Sequence, residues 1–354
     1  MTRAHPGERD MDERIVLVTG GRGFVAGWCI VELLRRGFRV RTTVRDLKQE
    51  PEVRLAMSRS GLGTDVLQRL SFVAADLSRD SGWEPAVVGC DFVLHVASPL
   101  GQAAADEQAF IGPARDGTLR VLRAAVAARV KRVVMTSAAA AARPPLNSNA
   151  RVSDESVWAD PGEERFDAYR RSKILAERAA WEYMTDKSTE FTTVLPTAVF
   201  GPVLTRANLG SVGIIAGLLA GKPPALPEFG FVVVDVRDLA KAHVDAMLAP
   251  GAAGERFLIG GDFVWFRELA SALRAAVGER AARVPTRRMP MFVVKLLAPF
   301  VPALKSLAGE VGRRNEVSNA KARRLLAFAP RPLAATLVDT VESLEQLGAV
   351  SGGS

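Results

Sequence analysis

Cysteine is scarce in this chain: 354 residues hold two, Cys29 and Cys90. A disulfide scaffold and a cysteine-rich zinc module are thereby excluded. Histidine is hardly commoner. His5, His95 and His243 lie far apart, none at ligand spacing from another, so no metal site is expected. Long apolar runs are missing too. A membrane span needs about 20 predominantly apolar residues, whereas the most apolar late stretch, Met289–Leu307, contains Lys295, Lys305 and three prolines. It reads as a partly buried helix-turn-helix, and no membrane partner is expected. Met1 to Arg14 is polar and lacks the apolar core of a secretory signal, so the expected location is cytoplasmic. Positive charge, by contrast, is plentiful: 38 arginines and nine lysines leave a formal net charge of +8. These residues are scattered, mostly interleaved with acids, and form neither an arginine-rich arm nor an aromatic ladder. No nucleic-acid partner is expected; an anionic ligand would suit the sign.

What is there is material for a core. Hydrophobic residues make up 48% of the chain and charged residues 24%, enough for one large domain or two intimate ones. Ile15-Val16-Leu17-Val18 predicts a fully buried strand. A glycine-rich turn follows, then a helical pattern from Phe24 to Arg36. Phe38–Val44, Leu70–Ala74, Phe92–Val96 and Arg132–Met135 read as further strands, with helices such as Ala114–Ala128 between them. Strands alternating with helices predict a Rossmann-like α/β fold, a doubly wound parallel sheet covered on both faces. A long helix is expected from Phe166 to about Thr185, then a strand at Phe191–Leu195. Beyond Pro196, prolines and glycines cut the chain into short segments. Phe231–Val236 is expected to return to the main sheet, and Arg256–Leu347 reads as mostly helical. The expected organisation is a tail at 1–13, a sheet domain of 14–200 plus 231–250, a smaller, mostly helical substrate-binding lobe of 201–230 plus 251–348, and a tail at 349–354.

Thr19-Gly20-Gly21-Arg22-Gly23-Phe24-Val25-Ala26-Gly27 sits between the first strand and the first helix, where a dinucleotide-binding turn belongs. Gly20 permits the turn, Gly23 lets backbone approach a pyrophosphate, and Ala26 is small enough for close helix–strand packing. The helix N-terminus then offers its N–H groups to phosphate. An acid at the end of the second strand would select NAD. Here Val44 stands near that position and Arg45 follows, with Lys48 close behind. A guanidinium suits bidentate contact with a 2′-phosphate, so the expected cofactor is NADP(H). Asp46 could pair with Arg45 or reach the ribose. Asp76, followed by Leu77, stands where a carboxylate could accept from the adenine amino group.

Only two tyrosines exist, Tyr169 and Tyr183. Tyr169 lies four residues before Lys173, so on a helix phenol and ammonium share a face. A neighbouring cation favours the phenolate, and the pair could act as general acid or base near neutral pH.

Together these segments resemble the extended short-chain dehydrogenase/reductases of the NAD-dependent epimerase/dehydratase superfamily, in particular the dihydroflavonol 4-reductase-like subgroup. The resemblance covers Ile15 to Met247 and rests on Thr19–Gly27, Val44-Arg45-Asp46, Ala75-Asp76-Leu77, His95 to Pro99, Asp116 to Leu119, Met135-Thr136-Ser137, Tyr169 to Lys173 and Leu195-Pro196-Thr197. It implies hydride transfer to or from a carbonyl, with Tyr169 as proton donor and Lys173 on the nicotinamide ribose. It implies cofactor contacts at Thr19, Gly20, Gly23, Phe24, Val25, Arg45, Lys48, Asp76, Leu77, Val96, Ala97, Ser98, Tyr169, Lys173, Pro196 and Val199. By the same analogy a homodimer would form through the helices near Ala114–Ala128 and Tyr169–Tyr183. The family usually carries a serine two residues after the threonine of the fifth strand, and this chain has Ala138 there. Thr136 and Ser137 are the remaining hydroxyls that could assist, although alternation along a strand turns Ser137 away from the face of position 138. His95, His243, Asp235 and Asp238 read as structural. The expected activity is NADP-dependent reduction of a ketone or aldehyde of a small hydrophobic substrate, or the reverse oxidation of an alcohol. The alternatives are a nucleotide-sugar epimerase or dehydratase, and a cofactor-binding protein without efficient turnover.

Overall fold

The computed structural model describes residues 10, 12–99, 108–146, 148, 152–207, 209–297 and 311–350. The second half of the apolar stretch Met289–Leu307 and most of both expected tails lie outside them. Seven parallel strands form the main sheet: β1 (Ile15–Val18), β2 (Arg39–Val44), β3 (Leu70–Ala74), β4 (Phe92–His95), β5 (Arg132–Thr136), β7 (Glu190–Pro196) and β10 (Arg256–Ile259). Their order is β10-β7-β5-β4-β1-β2-β3. The chain thus winds outward in both directions from β1, and the crevice where the winding reverses lies beside β1 and β4.

Both faces are covered because side chains alternate across a strand. Val16 and Val18 enter one core with helices α1 (Phe24–Arg35) and α8 (Val236–Leu248), while Leu17 enters another with α5 (Gln108–Ala127) and α6 (Ala168–Met184). The three side chains are completely buried, which is why a run without alternation in the sequence still makes a strand. Short helices α2 (Glu50–Ser58), α3 (Thr64–Leu67) and α4 (Trp83–Val87) edge the sheet, and β6 (Val152–Ser153) pairs with β12 (Glu316–Val317) apart from it.

A second core lies beyond β7. There β8 (Ala198–Phe200), β9 (Gly230–Asp235) and β11 (Phe263–Trp265) form a three-stranded sheet packed against α7 (Val212–Leu219), α9 (Phe266–Val277) and the helix Leu333–Gln346. Two expectations change. The strand at 231–235 does not return to the main sheet; it pairs with β8 and β11. Arg256–Ile259, assigned to the helical lobe, is the seventh strand of the main sheet, parallel to β7. Phe257, Leu258 and Ile259 are fully buried, so a four-residue strand hides among helices and leaves no alternating signal. The stretch 289–297 supplies one partly buried helix, α10 (Met291–Leu297), with Val294 buried and Met291, Phe292 and Leu296 exposed. Among the described residues, no helix is long and apolar enough to cross a membrane.

Candidate active site

A cleft of about 940 Å³ runs along the C-terminal edge of the main sheet. All the residues expected to hold the cofactor line it except Thr19 and Lys48. Gly20 has φ +76°, and a Cβ there would stand 3.0 Å from the Ala97 Cβ, so a side chain is opposed by backbone conformation and by space. Gly23 is the N-cap of α1 and brings no side chain to its first-turn N–H groups. A twelve-residue helix therefore points bare backbone donors and its positive dipole end into the cleft. That arrangement fits a pyrophosphate. Arg22, in the same turn, also lines the cleft and pairs with Glu52 at 2.8 Å.

Thr19 is correctly placed in sequence but serves the scaffold. Its Oγ accepts from the Val96 and Ala97 N–H groups at 3.1 and 2.9 Å. Its own proton must then go to His95 Nδ1, 3.0 Å away, leaving Nε2 to donate towards Thr118. Burial, then the charge of Lys173, push His95 down to about 3. It is a neutral packed imidazole that ties β1 to the loop after β4.

At the end of β2, Arg45 reaches outward, its Nε 3.9 Å from Asp76 Oδ2. Asp46 neither pairs with it nor faces the cleft; its Oδ1 accepts from the Lys48 N–H at 2.9 Å, capping a short 3-10 turn. Lys48 is exposed and not a lining residue. The Ser78 backbone N–H, against some desolvation, and then the Ser78 hydroxyl and Arg45 hold Asp76 below the usual carboxylate range. A negative Asp76 beside Arg45 suits an adenosine with a phosphorylated ribose.

Helix α6 starts at Asp167, whose carboxylate accepts from the Arg170 N–H at 2.8 Å. This cap, typically worth about 1 kcal/mol, sets Tyr169 in the first turn on the cleft wall and Lys173 one turn deeper. Lys173 is buried and donates from Nζ to the Thr136 carbonyl at 3.1 Å. Burial, opposed by Glu177, brings it down to about 8. Tyr169 shifts the other way from the expectation. Although 39% of its surface is accessible, desolvation by the concave wall and then the Asp167 carboxylate raise it above the ordinary phenol value, with Arg170 opposing.

Neither hydroxyl at the end of β5 is left for a substrate. Thr136 Oγ lies 2.7 Å from His243 Nε2, and His243 Nδ1 lies 2.8 Å from the Leu239 carbonyl. With burial pushing His243 down to about 4, Nδ1–H donates to the carbonyl and Nε2 accepts from Thr136. Ser137 points to the opposite face and donates to Glu177 Oε2 at 2.6 Å. Ala138 is extended, at φ −154° and ψ 150°, and lines the cleft with a methyl group. Thr136 and Ser137, expected to assist catalysis, are thus committed to α8 and α6 respectively. Glu177, the buried partner of Ser137, and Arg256, which pairs with Glu177, carry no local motif that marks them in the sequence.

A parallel sheet with a bare helix N-terminus at its winding reversal, and a Tyr–Lys pair on the same cleft, defines a dinucleotide-dependent enzyme class. The chain matches the NAD dependent epimerase/dehydratase family over residues 16–260 and belongs to it, in the dihydroflavonol 4-reductase-like branch. It is 33% identical over 270 residues to an anthocyanidin reductase ((2S)-flavan-3-ol-forming) of Vitis vinifera, covering 72% of this chain and 77% of that one. It is 34% identical over 249 residues to cinnamoyl-CoA reductase 1 of Arabidopsis thaliana, covering 70% of each. The fold is that of a yeast methylglyoxal/isovaleraldehyde reductase complexed with NADPH, with a TM-score of 0.78, 24% identity, and coverage of 95% of this chain and all of that one.

Proposed function

We propose that the protein is an NADP(H)-dependent reductase of ketones or aldehydes on small hydrophobic molecules, able to run in reverse on the alcohol. The observation that carries this is a single cleft holding the bare N-terminus of α1, Arg45 and the Tyr169–Lys173 pair. The named activities of the relatives, reductions of an anthocyanidin and of a cinnamoyl-CoA, agree with it. Backbone from Gly20 to Val25 would hold the pyrophosphate, Arg45 the 2′-phosphate, Asp76 and Leu77 the adenine, and Lys173 the nicotinamide ribose. The bound cofactor supplies the hydride. Tyr169 donates a hydrogen bond to the carbonyl oxygen and passes its proton as negative charge develops there. Lys173, charged and fixed on the Thr136 carbonyl, stabilises the phenolate left behind.

The smaller lobe would supply the substrate pocket. Ile214, Phe229 and Phe231 come from it, and Phe166 faces them from the sheet domain. An apolar wall suits an aromatic or branched carbonyl better than the charged sugar-nucleotide of an epimerase. Buried free Cys29 and Cys90 accord with a cytoplasmic location. The homodimer would use the outer faces of α5 and α6, and its elution volume would reveal it. The deciding experiment follows NADPH consumption with a panel of aromatic and aliphatic carbonyls. Turnover of at least one is expected, and NADPH binding without any turnover would overturn the reductase assignment.

A further inference from the structure

Behind the cleft wall lies a buried polar cluster that none of the steps above uses. Glu177, one helical turn beyond Lys173 on α6, is fully buried. Its Oε2 accepts from the Ser137 hydroxyl at 2.6 Å, and its Oε1 from the Thr193 hydroxyl at 2.8 Å. Arg256, at the start of β10, donates from Nε to Oε1 at 3.0 Å and from Nη2 to Oε2 at 3.3 Å. The guanidinium also binds the carbonyls of Ala141, Glu155 and Val157, and it lies over Trp158, 3.7 Å from the ring centroid. A buried ion pair is weak evidence of stabilisation, because desolvating both charges offsets their attraction. Its placement says more. Two successive residues of the β5 end grip one face of α6: Thr136 through its carbonyl to Lys173, Ser137 through its hydroxyl to Glu177.

We propose that Glu177 is a positioning residue for the Tyr169–Lys173 pair, fixing the height of α6 on the sheet and acting as countercharge to the Lys173 ammonium. The proposal rests on the reductase reading. Other titratable groups near Lys173 cannot take this part. His95 on β4 and His243 on α8 are kept neutral by burial. Tyr169 is a neutral phenol at ordinary pH, and Arg170 and Arg256 carry the wrong sign. Desolvation lowers Lys173, and Glu177 is what opposes it.

Glu177→Gln keeps the shape but removes the charge; its single amide oxygen can accept from only one of Ser137 and Thr193, which donate to different oxygens of the glutamate. Because it also strands Arg256, it is measured beside Glu177→Gln/Arg256→Met, which removes both charges, and Glu177→Asp, which keeps them. The readouts are the pH profile of kcat/KM with NADPH and one carbonyl, the NADPH Kd and the melting temperature. The alkaline limb is expected to move down by roughly half a unit to one unit in both glutamine variants. That is a ~3- to 10-fold loss at a pH above the limb, with NADPH affinity within about threefold of the parent. Glu177→Asp should return the limb towards the parental pH. A purely structural role would lower stability or kcat and leave the limb in place, so a folded glutamine variant with the parental limb overturns the proposal. Parent protein that binds NADPH yet reduces no carbonyl would overturn the reductase reading instead.

Discussion

Tyr169 and Lys173 share a helix face, yet the protein moves their acidities in opposite directions. The cleft wall and Asp167 raise the phenol, while burial brings the ammonium to about 8. Between neutrality and about pH 9 the phenol therefore keeps its proton and the ammonium is the group that titrates. Because Lys173 acts charged, kcat/KM for carbonyl reduction should hold below its pKa and fall by one proton's slope as pH rises through about 8. A flat profile to pH ~9.5 would reject that role. Tyr169→Phe removes the proton and keeps the ring. Turnover is expected to drop by ~10²–10⁴ with NADPH affinity preserved, and near-parental turnover would rule the mechanism out. This pair was legible in the sequence, as was the glycine turn, because each is defined by spacing inside one local element. Arg256 and Glu177 were not. They stand 79 positions apart, and only tertiary packing brings them together.

At the scale of elements, the end of β5 decides what the substrate oxygen can meet. Alternation sends Thr136 to α8 and Ser137 to α6, and each hydroxyl is used there. Ser137→Ala should therefore cost stability, about 1.5–3 kcal/mol for a bond to a charged acceptor, and reduce kcat/KM less than tenfold. Ala138→Ser, at a cleft-lining position that has no hydroxyl of its own, should add a donor and raise carbonyl reduction at least tenfold, part of the ~10²–10³ such donors supply. If Ser137→Ala instead removes ~10² or more of the rate while melting as the parent does, Ser137 reaches the substrate and the geometry at β5 is different in the working enzyme. The same alternation explains which strands could be read in advance. β1, β4 and β5 are apolar runs buried on both faces and flanked by helical patterns. β9 and β10 look alike in sequence, Phe-Val-Val-Val against Phe-Leu-Ile. Which of them enters the main sheet depends on their pairing partners, β8 and β7, and pairing is a long-range property that composition does not carry.

For the molecule as a whole, the net charge of +8 is scattered over the surface, but its sign continues into the cleft. Among the described residues, Arg22, Arg45, Arg143, Arg170 and Lys173 line the cleft, against one acid, Asp76. Low-dielectric walls focus such a field and draw anions inward, and NADPH brings three phosphate groups. Raising ionic strength from ~0.01 M to ~0.15 M shortens the screening length from about 30 Å to about 8 Å. NADPH should then bind severalfold more weakly, chiefly through slower association, while NADH, with one phosphate fewer, should lose less. Arg45 is the group whose removal separates field from contact. Its side chain is 73% exposed, so it adds little to stability, and Arg45→Ala should leave melting unchanged. A charge-assisted bidentate contact is worth about 1.5–3 kcal/mol, or one to two decades in affinity. Arg45→Ala is expected to lose that much NADPH affinity, to lose far less for NADH, and to bring the two salt slopes together. Equal losses for both cofactors would show that Arg45 contributes only to the general field and that the 2′-phosphate is held elsewhere.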